Sequence, residues 1–314
     1  MSALPSVTLS PLFLVINAGA GRSDSSQVSD TIHNVLMESG CEHEIALVED
    51  PQQLGEIARN AMDRALERGG AVVAVGGDGT LNSIAQLAVR HDCPFGVIPQ
   101  GTFNYFGRSH GIPSDPAAAT KALLTARVQR VQVGLINDHV FLVNASLGLY
   151  PQIMEDREAF KQRFGRSRFT ALCAGVGTAL REHRQLMLRI EHEGVARNIR
   201  TPTLFVGNNR LQLEQIGVGE APLLETGQLV ALLMRPVGTG AILWLMLRGA
   251  VGQLGDARNV DTFGLEEMTV KPAMPYGPKR VKVAIDGEVT WLSTPLKFRA
   301  APRALQLLVP ASET

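Results

Sequence analysis

Short unbroken apolar runs alternate with stretches whose apolar residues recur every three or four positions through the first third of the chain. That alternation predicts strands joined by helices. Leu12–Ile16 is a continuous apolar run that ends in a turn, Asn17-Ala-Gly19-Ala-Gly21. Val28, Ile32, Val35 and Leu36 then share one helical face, and Gly40 stops that helix. A weaker strand at Glu44–Val48 precedes Pro51, and Leu54, Ile57, Ala58, Ala61, Met62 and Ala65 mark a second helix ending at Gly69-Gly70. Ala71–Val75 reads as a buried strand, Leu81, Ile84, Ala85 and Ala88 as a third helix, and Phe95–Ile98 as a fourth strand before Pro99. Repeated β-α-β units predict a doubly wound, three-layer α/β domain over residues 1–128.

Beyond that point the period shortens. Val131–Val133, Val140–Ala145, Leu186–Ile190, Thr203–Val206 and Leu229–Met234 are short extended runs separated by Gly, Asn and Pro. Val281–Ile285 alternates, with Val281, Val283 and Ile285 on one face and Lys282, Ala284 and Asp286 on the other. Helices are expected at 151–183 and 239–254. The pattern predicts a mainly β, sandwich-like domain over 129–314, packed closely on the first domain with a cleft between them.

The length, 314 residues, agrees with two domains at roughly 150 residues each. Thirty basic and 30 acidic residues cancel, so no global basic field points to nucleic acid, and 5% aromatic content is too little for a base-stacking platform. Cys41, Cys93 and Cys173 lie far apart, without zinc-ligand spacing or a disulfide pattern, which fits a reducing cytoplasm. No cation precedes Arg22, so Leu12–Ile16 is not expected to be a signal peptide, and Ala241–Leu247 is too short to span a bilayer. The seven histidines show no ligand spacing. A basic segment at Arg157–Arg168 reads as a solvated face or an anionic-lipid contact, and apolar Ala241–Arg248 as core or an interfacial helix.

Three loops carry chemistry. Gly76-Gly77-Asp78-Gly79-Thr80 joins a buried strand to a helix; its glycines let backbone N–H groups approach phosphate, and Thr80 is expected to cap the helix. Asp78 would repel phosphate unless a cation lay between, so the loop implies Mg²⁺. Asn17-Ala-Gly19-Ala-Gly21 offers half of a dinucleotide fingerprint, with Asp24 where a third glycine would stand. Pro99-Gln-Gly101-Thr102-Phe-Asn104 offers donors to a nucleotide. All three leave the carboxyl ends of expected parallel strands, where open α/β sheets bind ligands. There is no Walker-type lysine. Asp286-Gly287-Glu288, after an alternating strand, reads either as a hairpin turn or as a carboxylate placed to accept a proton.

Gly-Gly-Asp-Gly-Thr, Pro-x-Gly-Thr-x-Asn and Asp-Gly-Glu, in this order, resemble the diacylglycerol kinase catalytic family, which includes bacterial lipid kinases and sphingosine and ceramide kinases. The likeness extends to Val140–Asn144 with Gly148 and to the closing Pro295-Leu…Leu-Val-Pro310. It implies an ATP-binding α/β domain, a C-terminal β-sandwich, and transfer of the ATP γ-phosphate to a lipid hydroxyl. Gly77, Asp78, Gly79, Thr80, Asn82 and Thr102 would contact ATP and Mg²⁺, with Asn17 and Gly21 alongside, and Asp286 or Glu288 would accept the proton. The expected partners are ATP and a lipid acceptor at a membrane surface, not nucleic acid, with room for a homodimer. The expected place is the cytoplasm, including the inner membrane face.

Three carboxylates of that family are replaced here, by Tyr105, Gln132 and Thr226. The alternatives are therefore a nucleotide- or lipid-binding protein with little or no kinase activity, and a kinase of a soluble substrate such as NAD.

Overall fold

The computed structural model describes residues 11–18, 25–148, 185–236, 259–273 and 279–311, with single positions at 151, 238, 240, 244 and 248. Gly19, Gly21, Arg157–Arg168 and nearly all of the helices expected at 151–183 and 239–254 lie outside the described residues. The chain divides into two compact units, residues 1–133 with 302–314, and residues 134–301. A boundary at 128 therefore falls short by a few residues, and the C-terminal end belongs to the first unit.

In the first unit β1 (Leu12–Asn17), β2 (His43–Val48), β3 (Ala71–Gly76) and β4 (Phe95–Pro99) form a parallel sheet in the order β2-β1-β3-β4. β1, β3 and β4 are almost wholly buried, as expected of strands covered on both faces. α1 (Ser25–Glu38) packs on α5 (Pro116–Leu124), and α2 (Leu54–Glu67) on α3 (Asp78–His91); α4 (Tyr105–Ser109) follows β4. Each helix turns its small or branched apolar side chains inward: Val28, Ile32 and Leu36 from α1, and Ala58, Ala61, Met62 and Ala65 from α2. The chain steps from β1 outward to β2, then returns to lay β3 on the other side of β1. The carboxyl ends of β1 and β3 thus form a switch point, the usual place for a ligand in such sheets.

The second unit holds β5's end and the strands that follow. β5 (Arg127–Ile136) pairs with β6 (His139–Phe141); the next strands are β7 (Asn144–Gly148), β8 (Leu186–His192), β9 (Val195–Thr201) and β10 (Thr203–Gly207). α6 (Arg210–Gln215) precedes β11 (Leu229–Met234), β12 (Val260–Leu265), β13 (Glu267–Pro272), β14 (Arg280–Ile285), β15 (Glu288–Ser293) and β16 (Leu296–Val309). The first half of β16 pairs antiparallel with β13, then β8 and β9; β12-β11-β10-β7-β14-β15 form a second sheet. Phe141, Leu147, Leu204, Val206, Val283 and Ile285 meet Ile190, Met268, Val270 and Phe298 in one buried core, so the mainly β sandwich is present.

Val140–Ala145 is not one strand. It breaks at Leu142-Val143, where Leu142, Val143 and Asn144 turn their N–H groups toward one acceptor. Gly134 is required nearby, because the Phe141 ring lies 2.1 Å from where a Cβ would stand.

Candidate active site

The loop after β3 opens α3 without a side-chain cap: Gly77 is the N-cap, extended at ψ 175°, and makes no side-chain bond. The positive end of α3 therefore has no side-chain cap, and such a helix end favours an anion. Thr80 does not cap the helix. It sits inside the first turn, buried, and its Oγ1 accepts from Asn17 Nδ2 at 2.9 Å, tying the ends of β1 and β3 together. Gly76 must lack a side chain, since a Cβ there would stand 2.8 Å from Thr80 Cβ.

The loop after β4 closes against the first. Gln100 N donates to Gly76 O at 2.8 Å. A Cβ on Gly101 would lie 2.8 Å from Asn104 Oδ1 and 3.3 Å from Gly77 Cα, so two glycines let two backbones touch. Asn104 is buried with φ 49°, a left-handed conformation that asparagine tolerates. Its backbone N–H bonds to the Asp78 carboxylate. Asp78 Oδ1, Asn104 Oδ1 and Gln100 Nε2 are buried without a partner. Burial holds the Asp78 carboxyl above its ordinary range, opposed by the Asn104 N–H.

Two unsatisfied oxygens beside an open helix end fit a divalent cation, and Gln100 Nε2 is a donor for phosphate. Gly79, Asn82 and exposed Thr102 border the same loops.

Tyr105 follows Asn104 as the first residue of α4. Burial raises its pKa; Arg108 opposes this, and the neighbouring Asp78 charge adds to it. Its ring stacks on exposed Phe103, 5.7 Å between centroids and 2° between planes. Phe103 and Gln100 were not singled out from the sequence; their position inside Pro-x-Gly-Thr-x-Asn was the available signal. Cys93 is a packed thiol, pushed up to about 11 by burial.

In the second unit Asp286 and Gly287 are the two central residues of the β14–β15 hairpin, with φ of 47° and 91°. Both positive values identify the tight primed turn that Asp-Gly favours. The Asp286 carboxylate accepts from Leu142 N at 2.7 Å, Val143 N at 2.8 Å and Asn144 N at 2.9 Å, while Asp286 N donates to Asn144 O. Those bonds tie the turn to the 142–144 backbone. The carboxylate expected as a base thus also has a structural part in the turn. The sequence pattern put Asp286 on a strand face, whereas the turn re-aims it. Glu288 is exposed, opposite Ile285. Nearby, Asn144 Nδ2 donates to Gln212 Oε1 at 3.1 Å, and Asn144 Oδ1 and Ser146 Oγ are buried without partners. Sequence reading did not pick out Ser146.

Residues 11–136 match the family model described as the diacylglycerol kinase catalytic domain. A Staphylococcus epidermidis protein named "Putative lipid kinase" is 27% identical over 250 residues, 76% of each chain. A Synechocystis "Uncharacterized protein" is 22% identical over 96% of this chain and 70% of its own. The crystal structure titled as a diacylglycerol kinase from Bacillus anthracis aligns over 98% of this chain and all of its own, with TM-score 0.73 and 18% identity, which speaks to the fold. Residues 11–136, with their glycine loops at the sheet's switch point, are the part of this chain that matches the diacylglycerol kinase catalytic-domain family.

Proposed function

We propose that this chain is an ATP-dependent kinase of a lipid hydroxyl. The observation that carries the reading is the pair of buried, unpartnered oxygens, Asp78 Oδ1 and Asn104 Oδ1, at the open N-terminus of α3 in a diacylglycerol kinase catalytic domain. The α3 N–H groups and the Gly76–Gly77 backbone bind the triphosphate, and Gln100 Nε2 donates to it. Asp78 and Asn104 would hold Mg²⁺, which would neutralise phosphate charge. The acceptor hydroxyl oxygen forms its bond to the γ-phosphorus, the bond to the bridging oxygen breaks, and ADP leaves with that electron pair. Glu288 takes the hydroxyl proton, because it is exposed while Asp286 already accepts three backbone N–H bonds. Asn144 Oδ1 and Ser146 Oγ are acceptors suited to a second hydroxyl of a glycerol-like headgroup.

The test is γ-labelled ATP with Mg²⁺ and fractionated cellular lipids. Label should enter a lipid, and Glu288→Gln should slow transfer by roughly 10²–10⁴ with an unchanged melting curve. Asp286→Asn should lower the melting temperature together with activity. The replaced carboxylates at Tyr105, Gln132 and Thr226 keep a second reading in view: ATP binding with no labelled lipid would make the chain a binding protein. Label on NAD would make it a kinase of a soluble substrate.

A further inference from the structure

The β14–β15 hairpin is the edge of the six-stranded sheet, and its two faces differ sharply in chemistry. One face, with Val283, Ile285 and Leu292, is sealed in the sandwich core. On the other, the register pairs are Arg280 with Ser293, Lys282 with Trp291, and Ala284 with Val289. Trp291 is 51% exposed, an unusual expense of aromatic surface on an edge strand. Lys282 Nζ stands 5.5 Å from the centre of its ring, and Arg280 Nη2 donates to Trp291 O at 3.1 Å. Exposed Lys279 immediately precedes the strand at that end of the row. The hairpin's acids are turned elsewhere: Asp286 is bound to the 142–144 backbone, and Glu288 lies opposite Ile285. A cationic and aromatic row therefore stands on a chain whose net charge is zero.

We propose that this outward row, Lys279, Arg280, Lys282 and Trp291, docks the protein on an anionic phospholipid surface. An indole has an apolar body and one N–H donor, which suits the headgroup layer, and cations beside it suit lipid phosphates. Lysine and arginine stems add apolar cover while their heads reach the phosphates. The charge complementarity selects anionic over zwitterionic bilayers. The docking needs no catalysis and holds whether or not the lipid-kinase reading does; under that reading it brings the enzyme to a membrane-borne acceptor.

The chain has two tryptophans, so Trp244→Phe leaves Trp291 as the sole indole reporter. Its emission should shift to the blue on phosphatidylglycerol-containing vesicles, be quenched by bromine-labelled acyl chains, and stay unchanged on pure phosphatidylcholine. Salt near 1 M, where screening length falls to about 3 Å, should reverse binding. Arg280→Gln with Lys282→Gln should weaken sedimentation with anionic vesicles roughly 25-fold, about fivefold per cation. Trp291→Ala should also weaken it. Melting temperature and any activity on detergent-dispersed acceptor should be kept in each variant. Equal affinity for both vesicle types, undiminished binding by the double variant, or a lipid-free, concentration-dependent blue shift from edge-to-edge dimers would overturn the proposal. Vesicle binding without phosphoryl transfer would support the docking surface while refuting the kinase.

Discussion

An ionised carboxylate at Asp78 works against the fold until something positive meets it. Burial raises its pKa above 3.8, with the Asn104 N–H opposing, so the anion is less favoured in the folded chain than in the unfolded one. Stability is therefore undiminished below the unfolded value and falls as pH rises through the folded one. Asp78→Asn should raise the melting temperature of the ligand-free protein at pH 7, and the gain should fade as pH falls toward 4. Under the kinase reading the same change should abolish the extra stabilisation expected from Mg²⁺ and ATP, an effect of about 2.7 kcal/mol at 100-fold ligand excess over Kd. Thermal melts across pH, with and without ligand, check both halves; a lower melting temperature at pH 7 without ligand would sink the argument. An acid among glycines was visible in the sequence. The left-handed Asn104 that holds it was not, because a lone positive φ leaves no periodic trace.

Two loops meeting through glycines are a property of elements rather than of either motif alone. Gly101→Ala would press a methyl on Asn104 Oδ1 and Gly77 Cα, prising the loop after β4 from the loop after β3. We expect ATP affinity to fall at least tenfold, with about 1–3 kcal/mol lost in stability. Gly55→Ala is the control: nothing lies within 4 Å of its Cβ position in α2, so it should leave ATP affinity alone and add roughly 0.5 kcal/mol. Nucleotide titration beside thermal melts separates the two. β1, β3 and β4 could be read from sequence because burial on both faces makes them continuous apolar runs. The 142–144 turn could not, since Leu142 and Val143 look like strand residues. What breaks the strand is the Asp286 carboxylate, more than 140 positions away.

At the scale of the whole molecule the chain's end decides what can fold alone. The first unit contains residues 302–314, and Leu307 of β16 pairs parallel with Phe95 of β4. Local patterns in sequence assign a strand to its neighbours, so a partner some 200 positions back escapes them, and 129–314 read as one domain. Leu305, Leu307, Leu308 and Val309 are all buried. At about 1.5–3 kcal/mol each they contribute roughly 6–12 kcal/mol, comparable with the 5–15 kcal/mol that holds an ordinary domain together. The same end is pinned by Gln306 Nε2, which donates to Asp92 O at 2.7 Å, while Arg130 bridges Asp92 Oδ2 and Arg303 O. A chain ending at residue 301 should therefore lose cooperative melting of its α/β unit and bind no ATP. Residues 1–128 alone should fare no better, although they carry all three glycine-bearing loops. Circular dichroism melts and limited proteolysis of both truncations test this. A cooperative transition in 1–128 with full helix content would mean that the returning strand is a covering rather than a structural member of the sheet.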